Sequence, residues 1–210
     1  IPKPMIKIGN KPLIYFIMKH YAKYGFKDFY IAIGYKGEVI KKFFKKKILD
    51  WNVKIIETGR NTMTGGRLKR LKKYLGKKSF LLTYGDGISD VNLDKLLKLH
   101  NRHKKLVTLT AVRPPARFGS LKINRNVVEK FKEKSKTDEG WINGGFFVIK
   151  PEFLDYIKGD RTYLEREPLE LASKKKQLIA FKHYKFWQCM DTKRDRDYLN
   201  KIYKKKIIKF

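Results

Sequence analysis

Cysteine is nearly absent from this chain, and its scarcity excludes a whole class of protein. The 210 residues contain one cysteine, Cys189, so an intrachain disulfide framework is excluded and the composition fits the reducing cytoplasm. No Cys/His or Ser/His/Asp grouping predicts covalent catalysis, and we expect Cys189 to be a small buried hydrophobe. The expectation is a cytoplasmic protein held together by packing.

Long hydrophobic runs are missing as well. No apolar stretch approaches the ~20 residues that cross a bilayer, and the opening IPKPMIKIGNKP lacks the apolar core of a secretory signal. Hydrophobic residues nevertheless make up 42% of the chain and aromatic residues 14%, which is enough to bury a core. We expect no membrane partner and a single domain, since domains usually run about 100–200 residues.

Acidic residues are also scarce. The 20 Asp and Glu residues stand against 51 Lys and Arg, for a net charge of +31, and such an excess attracts polyanions. A basic nucleic-acid-binding protein is therefore one alternative. The cations are spread along the chain, however, and lysine outnumbers the arginine that base-reading sites favour. No zinc-finger, RNA-recognition or helix-turn-helix signature is present, so we interpret most of the charge as solvated surface and expect no specific nucleic acid.

Hydrophobic periodicity predicts an α/β fold. Helices are predicted over 11–24, 36–47, 65–75, 92–103, 164–176 and 192–205, and strands over 29–35, 51–59, 79–87, 106–112 and 177–183. Thr64, Asn92 and Thr192 are the predicted N-caps. Helices between apolar strands imply a mostly parallel central sheet. The shorter segments 118–124, 127–134 and 142–150 are predicted to be small antiparallel additions.

Two acids are candidates for a metal site. Asp86 lies between Gly85 and Gly87, directly after an apolar strand, and ligands bind beyond the carboxyl ends of strands in such sheets. A carboxylate there suits a divalent metal on phosphates, whereas the other interpretation is an ordinary Asp-Gly turn. Asp191 precedes a predicted helix, where an acid also complements the helix dipole. Two such carboxylates with phosphate oxygens would complete a Mg²⁺ site.

Two glycine pairs are further candidates. In MTGGRLKR, residues 63–70, a glycine pair at a helix start precedes Arg67, and free backbone N–H groups there suit an anion or a base edge. In INGGFFV, residues 142–148, two glycines interrupt a strand. Such glycines indicate either a bulge or a ligand pressed against the backbone, and the pattern leaves both open.

The remaining polar candidates give weaker signals. Glu133 and Lys134 end an alternating strand and should point to opposite faces, so composition alone makes them surface charges. His100 and His103 share a helix face. We expect both to face solvent, because no third metal ligand is evident nearby.

Taken in order, these motifs resemble a known family. The strings PKPMIKIGNKP, MTGGRLKR, TYGDG, RFGSL, FKEKS, INGGFFV, EREPL and FWQCMDT together resemble the sugar-1-phosphate nucleotidyltransferases over essentially all of the chain. The joint occurrence of MTGGRLKR, INGGFFV and MDT is similar to the cytidylyl branch, the glucose-1-phosphate cytidylyltransferases. The resemblance implies a Rossmann-like nucleotide-diphospho-sugar transferase fold and one nucleotidyltransferase domain over residues 1–210.

The resemblance also implies a reaction and a set of site residues. The phosphate of glucose 1-phosphate would attack the α-phosphorus of CTP in line, with Mg²⁺, to give CDP-glucose and pyrophosphate. Asp86 and Asp191 would hold Mg²⁺ and, with Lys3, form the catalytic set. The implied nucleotide contacts are Lys3, Thr62, Arg67 and Gly85, and the implied sugar-phosphate contacts are Glu133, Lys134, Asn143 and Gly144. A homo-oligomer is implied too, and a different base or sugar is an alternative.

The chain departs from the family pattern at its start. The family has a strand and a glycine-rich GGxGTR-type loop before PKPM, and this sequence begins after both. We therefore expect the chain to be N-terminally incomplete, because that loop supplies backbone donors for the triphosphate. A truncated, inactive relative is the corresponding alternative.

Overall fold

The computed structural model describes residues 1–45, 49–114, 120–132 and 140–206, and it alternates helices and strands as predicted. The helices are α1 (Leu13–Ala22), α2 (Gly37–Phe44), α3 (Thr64–Arg70), α4 (Lys72–Leu75), α5 (Leu93–His103), α6 (Glu167–Lys174) and α7 (Lys193–Lys204). The strands are β1 (Lys7–Ile8), β2 (Lys11–Pro12), β3 (Asp28–Ile33), β4 (Asn52–Glu57), β5 (Phe80–Thr83), β6 (Gly87–Ser89), β7 (Val107–Val112), β8 (Ser120–Asn124), β9 (Val127–Lys132), β10 (Ile142–Ile149), β11 (Leu178–His183) and β12 (Trp187–Cys189). Short 3₁₀ segments cover Lys3–Met5 and Pro151–Tyr156.

The central sheet has the strand order β11-β7-β10-β5. Strands β7 and β11 are parallel, while β10 runs antiparallel to both β7 and β5, so three of the four strands point the same way. Strands β3 and β4 form a separate parallel pair. The sheet topology therefore confirms the predicted α/β class with mostly parallel strands.

The antiparallel segments do not all lie in one insert. Strands β8 and β9 form a separate antiparallel hairpin, as predicted. Strand β10 is also antiparallel, but it lies inside the main sheet rather than at its periphery. Its residues Phe146–Ile149 are at most 1% exposed, so the strand is covered on both faces. A strand in that position needs apolar side chains on both faces, and these four residues supply them.

Side chains of β10 divide between the two faces of the sheet. Phe146 and Val148 belong to a core packed with α1, α5 and α7, whereas Phe147 and Ile149 belong to a second core beneath α6. This division follows the two-residue period of a strand. With both faces covered by apolar side chains, the strand ends are where polar groups can gather.

Local sequence signals position two of the helix starts. The Asn92 side chain accepts a hydrogen bond from the Lys95 N–H at the start of α5, and Thr192 with Asp195 forms a capping box at the start of α7. The predicted Thr64 cap is wrong. Thr64 is the first residue of α3, and its hydroxyl oxygen accepts from the Leu164 N–H, a long-range partner that the local pattern does not reveal.

The prediction for His100 is also wrong. Its ring is 1% exposed and lies between the Thr108 hydroxyl at 2.9 Å and the Ser79 hydroxyl at 3.3 Å, whereas His103 is exposed as expected. Burial lowers the pKa of His100. Within the described residues, every helix is too short or too polar to cross a bilayer.

Candidate active site

Two carboxylates from distant parts of the chain meet at one end of the sheet. Asp86 lies between β5 and β6, and Asp191 lies two residues after the end of β12. Strands β6 and β12 pair antiparallel, and the Met190 N–H donates to the Asp86 carbonyl at 2.8 Å. Backbone pairing therefore brings together the two acids that the sequence offered as a metal pair.

Lys3 completes this acid pair. Its Nζ lies 2.6 Å from Asp191 Oδ1 and 3.7 Å from Asp86 Oδ2. The hydrogen bond to Asp191 raises the pKa of Lys3, and burial raises the pKa of Asp86 while the Lys3 ammonium opposes that rise. Two carboxylates face one ammonium, so a strongly basic chain carries a local negative charge here.

Cys189 also contacts the acid pair, so its predicted role as a small buried hydrophobe is wrong. The side chain is partly exposed, and its Sγ donates to Asp191 Oδ2 at 2.9 Å. Burial and this hydrogen bond raise the pKa of the thiol to about 12. At neutral pH the group is therefore a protonated thiol that orients Asp191.

The donor set fits a divalent cation. One ligand atom each from Asp86, Cys189 and Asp191 lie within 4.8 Å of one another. Carboxylate oxygens suit a hard cation, whereas a protonated thiol does not. The Lys3 ammonium already lies against both carboxylates as a cation, which shows that the pair accepts positive charge between them.

Gly85 brings the Lys3 segment onto the acid pair. A Cβ built on Gly85 would lie 2.6 Å from Pro4 Cγ, so a larger residue would push the N-terminal segment away. Close backbone approach is a use to which glycine is well suited. The predicted contact residue Gly85 therefore has a packing role that sets the position of Lys3.

Arg67 and Thr62 lie at the carboxyl end of the β3–β4 pair. Among the described residues, the Arg67 guanidinium donates to Ile33 O at 3.1 Å, to Thr58 Oγ1 at 2.7 Å and to Arg60 O at 3.4 Å. Thr62 is buried in the loop that follows β4. The guanidinium thus ties together the ends of two strands, in addition to any ligand contact.

The glycine pair of MTGGRLKR is not a free anion site, and that interpretation is wrong. The N–H groups of Gly65 and Gly66 both donate to Thr162 O, at 3.0 and 3.2 Å, and the Met63 N–H donates to Asp160 O at 2.8 Å. A Cβ on Gly66 would lie 2.5 Å from Asp160 O. The glycines allow another loop to cap α3 through its backbone carbonyls.

The glycine pair in β10 forms a bulge. The pairing with β7 shifts register between Asn143 and Phe147, and Gly145 has a φ of +79°. Gly144 sits so close to β7 that a Cβ would lie 2.8 Å from Val112 Cγ1. Of the two interpretations of INGGFFV, the bulge is the one that the geometry supports directly.

The bulge fixes the side chain of Asn143. Its Oδ1 accepts from the Gly145 N–H at 2.9 Å, and its Nδ2 donates to the Tyr84 hydroxyl at 3.4 Å. Tyr84 directly precedes Gly85 and Asp86 in the chain. The structure therefore connects the Asn143 end of β10 with the Asp86 loop.

Sequence reasoning missed two residues of this region, Tyr84 and Glu165. The Tyr84 hydroxyl donates to Glu165 Oε1 at 2.7 Å. Both residues lie within motifs that resemble the family, TYGDG and EREPL. Membership in those motifs was the only indication in the sequence that they belong to the site. Glu133 and Lys134 lie outside the described residues.

The fold and this site define a class of enzyme. Residues 1–193 match the family model described as nucleotidyl transferase, and the chain belongs to that family. Nucleotidyl transferases of this family generally use a divalent metal.

Relatives narrow the class to the cytidylyl branch. The chain is 44% identical to the glucose-1-phosphate cytidylyltransferase of Salmonella typhimurium over 227 residues, covering 97% of this chain and 88% of the relative. It is 37% identical to the probable glucose-1-phosphate cytidylyltransferase of Bacillus subtilis over 225 residues, with the same coverage of 97% and 88%. These relatives confirm the resemblance drawn from the motifs.

Solved structures confirm the fold. The crystal structure of HddC from Yersinia pseudotuberculosis superposes with a TM-score of 0.76 at 23% identity, covering 97% of this chain and 90% of that one. At this sequence identity the similarity shows the fold alone, and that fold is the predicted nucleotidyltransferase-like α/β fold.

Proposed function

We propose that this chain transfers the cytidylyl group of CTP to glucose 1-phosphate, giving CDP-glucose and pyrophosphate in a Mg²⁺-dependent reaction. The observation that carries the proposal is the cluster of Lys3, Asp86 and Asp191 at the strand ends. It occurs in a chain that is 44% identical to a glucose-1-phosphate cytidylyltransferase over 97% of its length. Residues 1–210 form one nucleotidyltransferase domain in this proposal.

The reaction needs positioning and charge neutralisation rather than a covalent intermediate on the protein. A phosphate oxygen of glucose 1-phosphate forms the new bond to the α-phosphorus of CTP, and the bond from that phosphorus to the β-phosphate oxygen breaks. Pyrophosphate carries away the electron pair. Magnesium, when bound, supplies Lewis-acid neutralisation of the phosphate oxygens.

The chain's own residues have separate tasks in this proposal. Asp86 and Asp191 hold the cation, and the Cys189 thiol orients Asp191 by donating to its second oxygen. Lys3 places a point charge beside the phosphates. The nucleotide contacts are Thr62, Arg67 and Gly85, and the sugar-phosphate contacts are Glu133, Lys134, Asn143 and Gly144.

The proposal also includes a cellular compartment and an oligomeric state. The single cysteine supports a reducing cytoplasm, where the nucleotide substrate is available. The family resemblance supports a homo-oligomer, and light scattering on the purified protein measures its order.

A substrate panel tests the proposed specificity. Pyrophosphate release by the full-length encoded protein is measured with CTP, UTP, dTTP or GTP against glucose 1-phosphate or mannose 1-phosphate. We expect kcat/KM to be highest for CTP with glucose 1-phosphate. Equal or better turnover with another nucleotide would overturn the CTP assignment, and a preference for mannose 1-phosphate would overturn the sugar assignment.

A further inference from the structure

Glu165 is an exposed carboxylate with an unusual set of partners. Its Oε1 accepts from the Tyr84 hydroxyl and its Oε2 from the Thr64 hydroxyl, each at 2.7 Å. Among the described residues, no lysine or arginine lies within ion-pair distance of it, although the chain carries 51 such cations. This acid therefore holds two hydroxyl groups in place rather than neutralising surface charge.

The Tyr84 hydroxyl links Glu165 to Asn143 by hydrogen bonds. The same hydroxyl that donates to Glu165 accepts from Asn143 Nδ2 at 3.4 Å. A tyrosine hydroxyl can donate one hydrogen bond and accept another, so one phenol serves both partners. The Asn143 amide is then held at both ends, because its Oδ1 accepts from the Gly145 N–H.

Packing fixes the Tyr84 ring itself. The ring lies edge-on to Phe147, with centroids 5.6 Å apart. A Cβ on Gly145 would lie 2.7 Å from Tyr84 Cδ2, so the bulge glycine makes room for the ring. With the ring fixed, the remaining freedom of the phenol is the direction of its O–H, and Glu165 sets that direction.

We propose that Glu165 is a positioning residue for the sugar-phosphate side of the site, acting through Tyr84 on Asn143. The inference rests on the proposed function, in which Asn143 contacts the sugar phosphate. The second oxygen of Glu165 accepts from Thr64, the first residue of α3. The start of that helix is also held by the Asp160 and Thr162 carbonyls, so the loss of the Thr64 bond leaves Arg67 in place and the effect of Glu165 falls on Asn143.

Steady-state kinetics with each substrate varied in turn test this role. We expect Glu165→Ala to lower kcat/KM for glucose 1-phosphate about tenfold, the scale of one lost hydrogen bond to a charged group. The loss should appear mainly in KM for glucose 1-phosphate, with KM for CTP changed by less than about twofold. Glu165→Gln should rescue part of the loss, because its amide oxygen still accepts from Tyr84.

A double-variant comparison separates positioning from general damage. Because Glu165 acts through Tyr84, the variant combining Glu165→Ala with Tyr84→Phe should be no worse than Tyr84→Phe alone, within about twofold. The matched control is Glu167→Gln, an exposed acid two residues along that pairs with Lys158 at 3.3 Å, and it should leave both KM values unchanged. Additive losses in the combined variant, or equal effects on both substrates, would overturn the inference.

Failure of the proposed function is distinguishable from failure of this inference. If the wild-type protein turns over a different sugar phosphate or nucleotide, the proposed specificity falls, and the same variants are compared with that substrate pair. If Glu165→Ala unfolds the protein, the Glu165→Gln and Tyr84→Phe comparison carries the test.

Discussion

Asp86 is the residue on which the proposed chemistry depends most. We expect Asp86→Asn to lower turnover by about a hundredfold or more, because a neutral amide is a weaker ligand for the cation and removes one of two facing negative charges. The measurement is pyrophosphate release across a Mg²⁺ titration. Asp155→Asn, which removes an exposed acid paired with Lys72 at 2.8 Å, is the control and should change turnover by less than about twofold. Near-normal turnover in Asp86→Asn would contradict the metal role.

His100 makes stability depend on pH. Burial lowers its pKa in the folded state, so the unfolded chain binds the proton more readily once the pH falls below about 6.5. The contribution of neutral His100 to the free energy of unfolding is therefore complete above that pH and is lost as the pH falls below it. We expect wild-type protein to lose more stability than His100→Gln between about pH 7.5 and about pH 5. Denaturant unfolding at several pH values checks this, and parallel curves for the two proteins would refute it.

Single residues also show where prediction from sequence stops. Asn92 and Thr192 were identifiable as caps because their partners lie three residues away in the chain. His100 and Thr64 were misassigned because each bonds to a group that only tertiary structure brings near. Cys189 was misassigned although its partner Asp191 lies two residues away, because no sequence motif indicates that contact. Recognisable cap motifs could be predicted from the sequence, and contacts outside such motifs could not.

At the scale of elements, the contact of α3 with the loop at residues 158–165 organises one side of the site. Backbone carbonyls of Asp160 and Thr162 cap the helix, and Gly65 and Gly66 allow that approach. The sequence indicated the helix start and its glycines, but it suggested an anion or a base edge as their partner. The composition of MTGGRLKR is compatible with either use, and only the position of the loop distinguishes them.

Substitution of Gly66 tests this packing. We expect Gly66→Ala to lower the free energy of unfolding by about 1–3 kcal/mol, because its Cβ would lie 2.5 Å from Asp160 O and 2.6 Å from Asp160 Cα. Gly159→Ala is the control, since a Cβ there meets no atom within 4 Å, and it should change stability by less than about 0.5 kcal/mol. Equal effects of the two substitutions in denaturant unfolding would contradict the close approach.

Strand β10 shows a related limit at the same scale. The sequence predicted a small antiparallel addition here and left open whether the glycines form a bulge or accommodate a ligand; the strand is antiparallel and contains the bulge. Its place between β5 and β7 could not be read from the pattern, because an apolar strand fits the centre of a sheet from any position in the chain. That placement is what brings Asn143 beside Tyr84.

At the scale of the whole molecule, a chain with a net charge of +31 carries a locally negative site at Asp86 and Asp191. An open cleft of about 890 Å³ lies beside Asp191, and its lining includes Lys7, Lys193, Arg196 and Lys201. Clustered cations raise the local concentration of anionic ligands, while the acid pair attracts a divalent cation. The charge that first suggested a polynucleotide is thus compatible with a small polyanion bound with its metal.

The path of the α-phosphorus tests the central claim most directly. The full-length encoded protein is incubated with Mg²⁺, glucose 1-phosphate and CTP radiolabelled at the α-phosphorus, and the products are separated by chromatography. We predict that the label appears in CDP-glucose and that the pyrophosphate released in equal amount is unlabelled. Label in inorganic phosphate or in a free nucleotide, with no CDP-glucose formed, would contradict cytidylyl transfer.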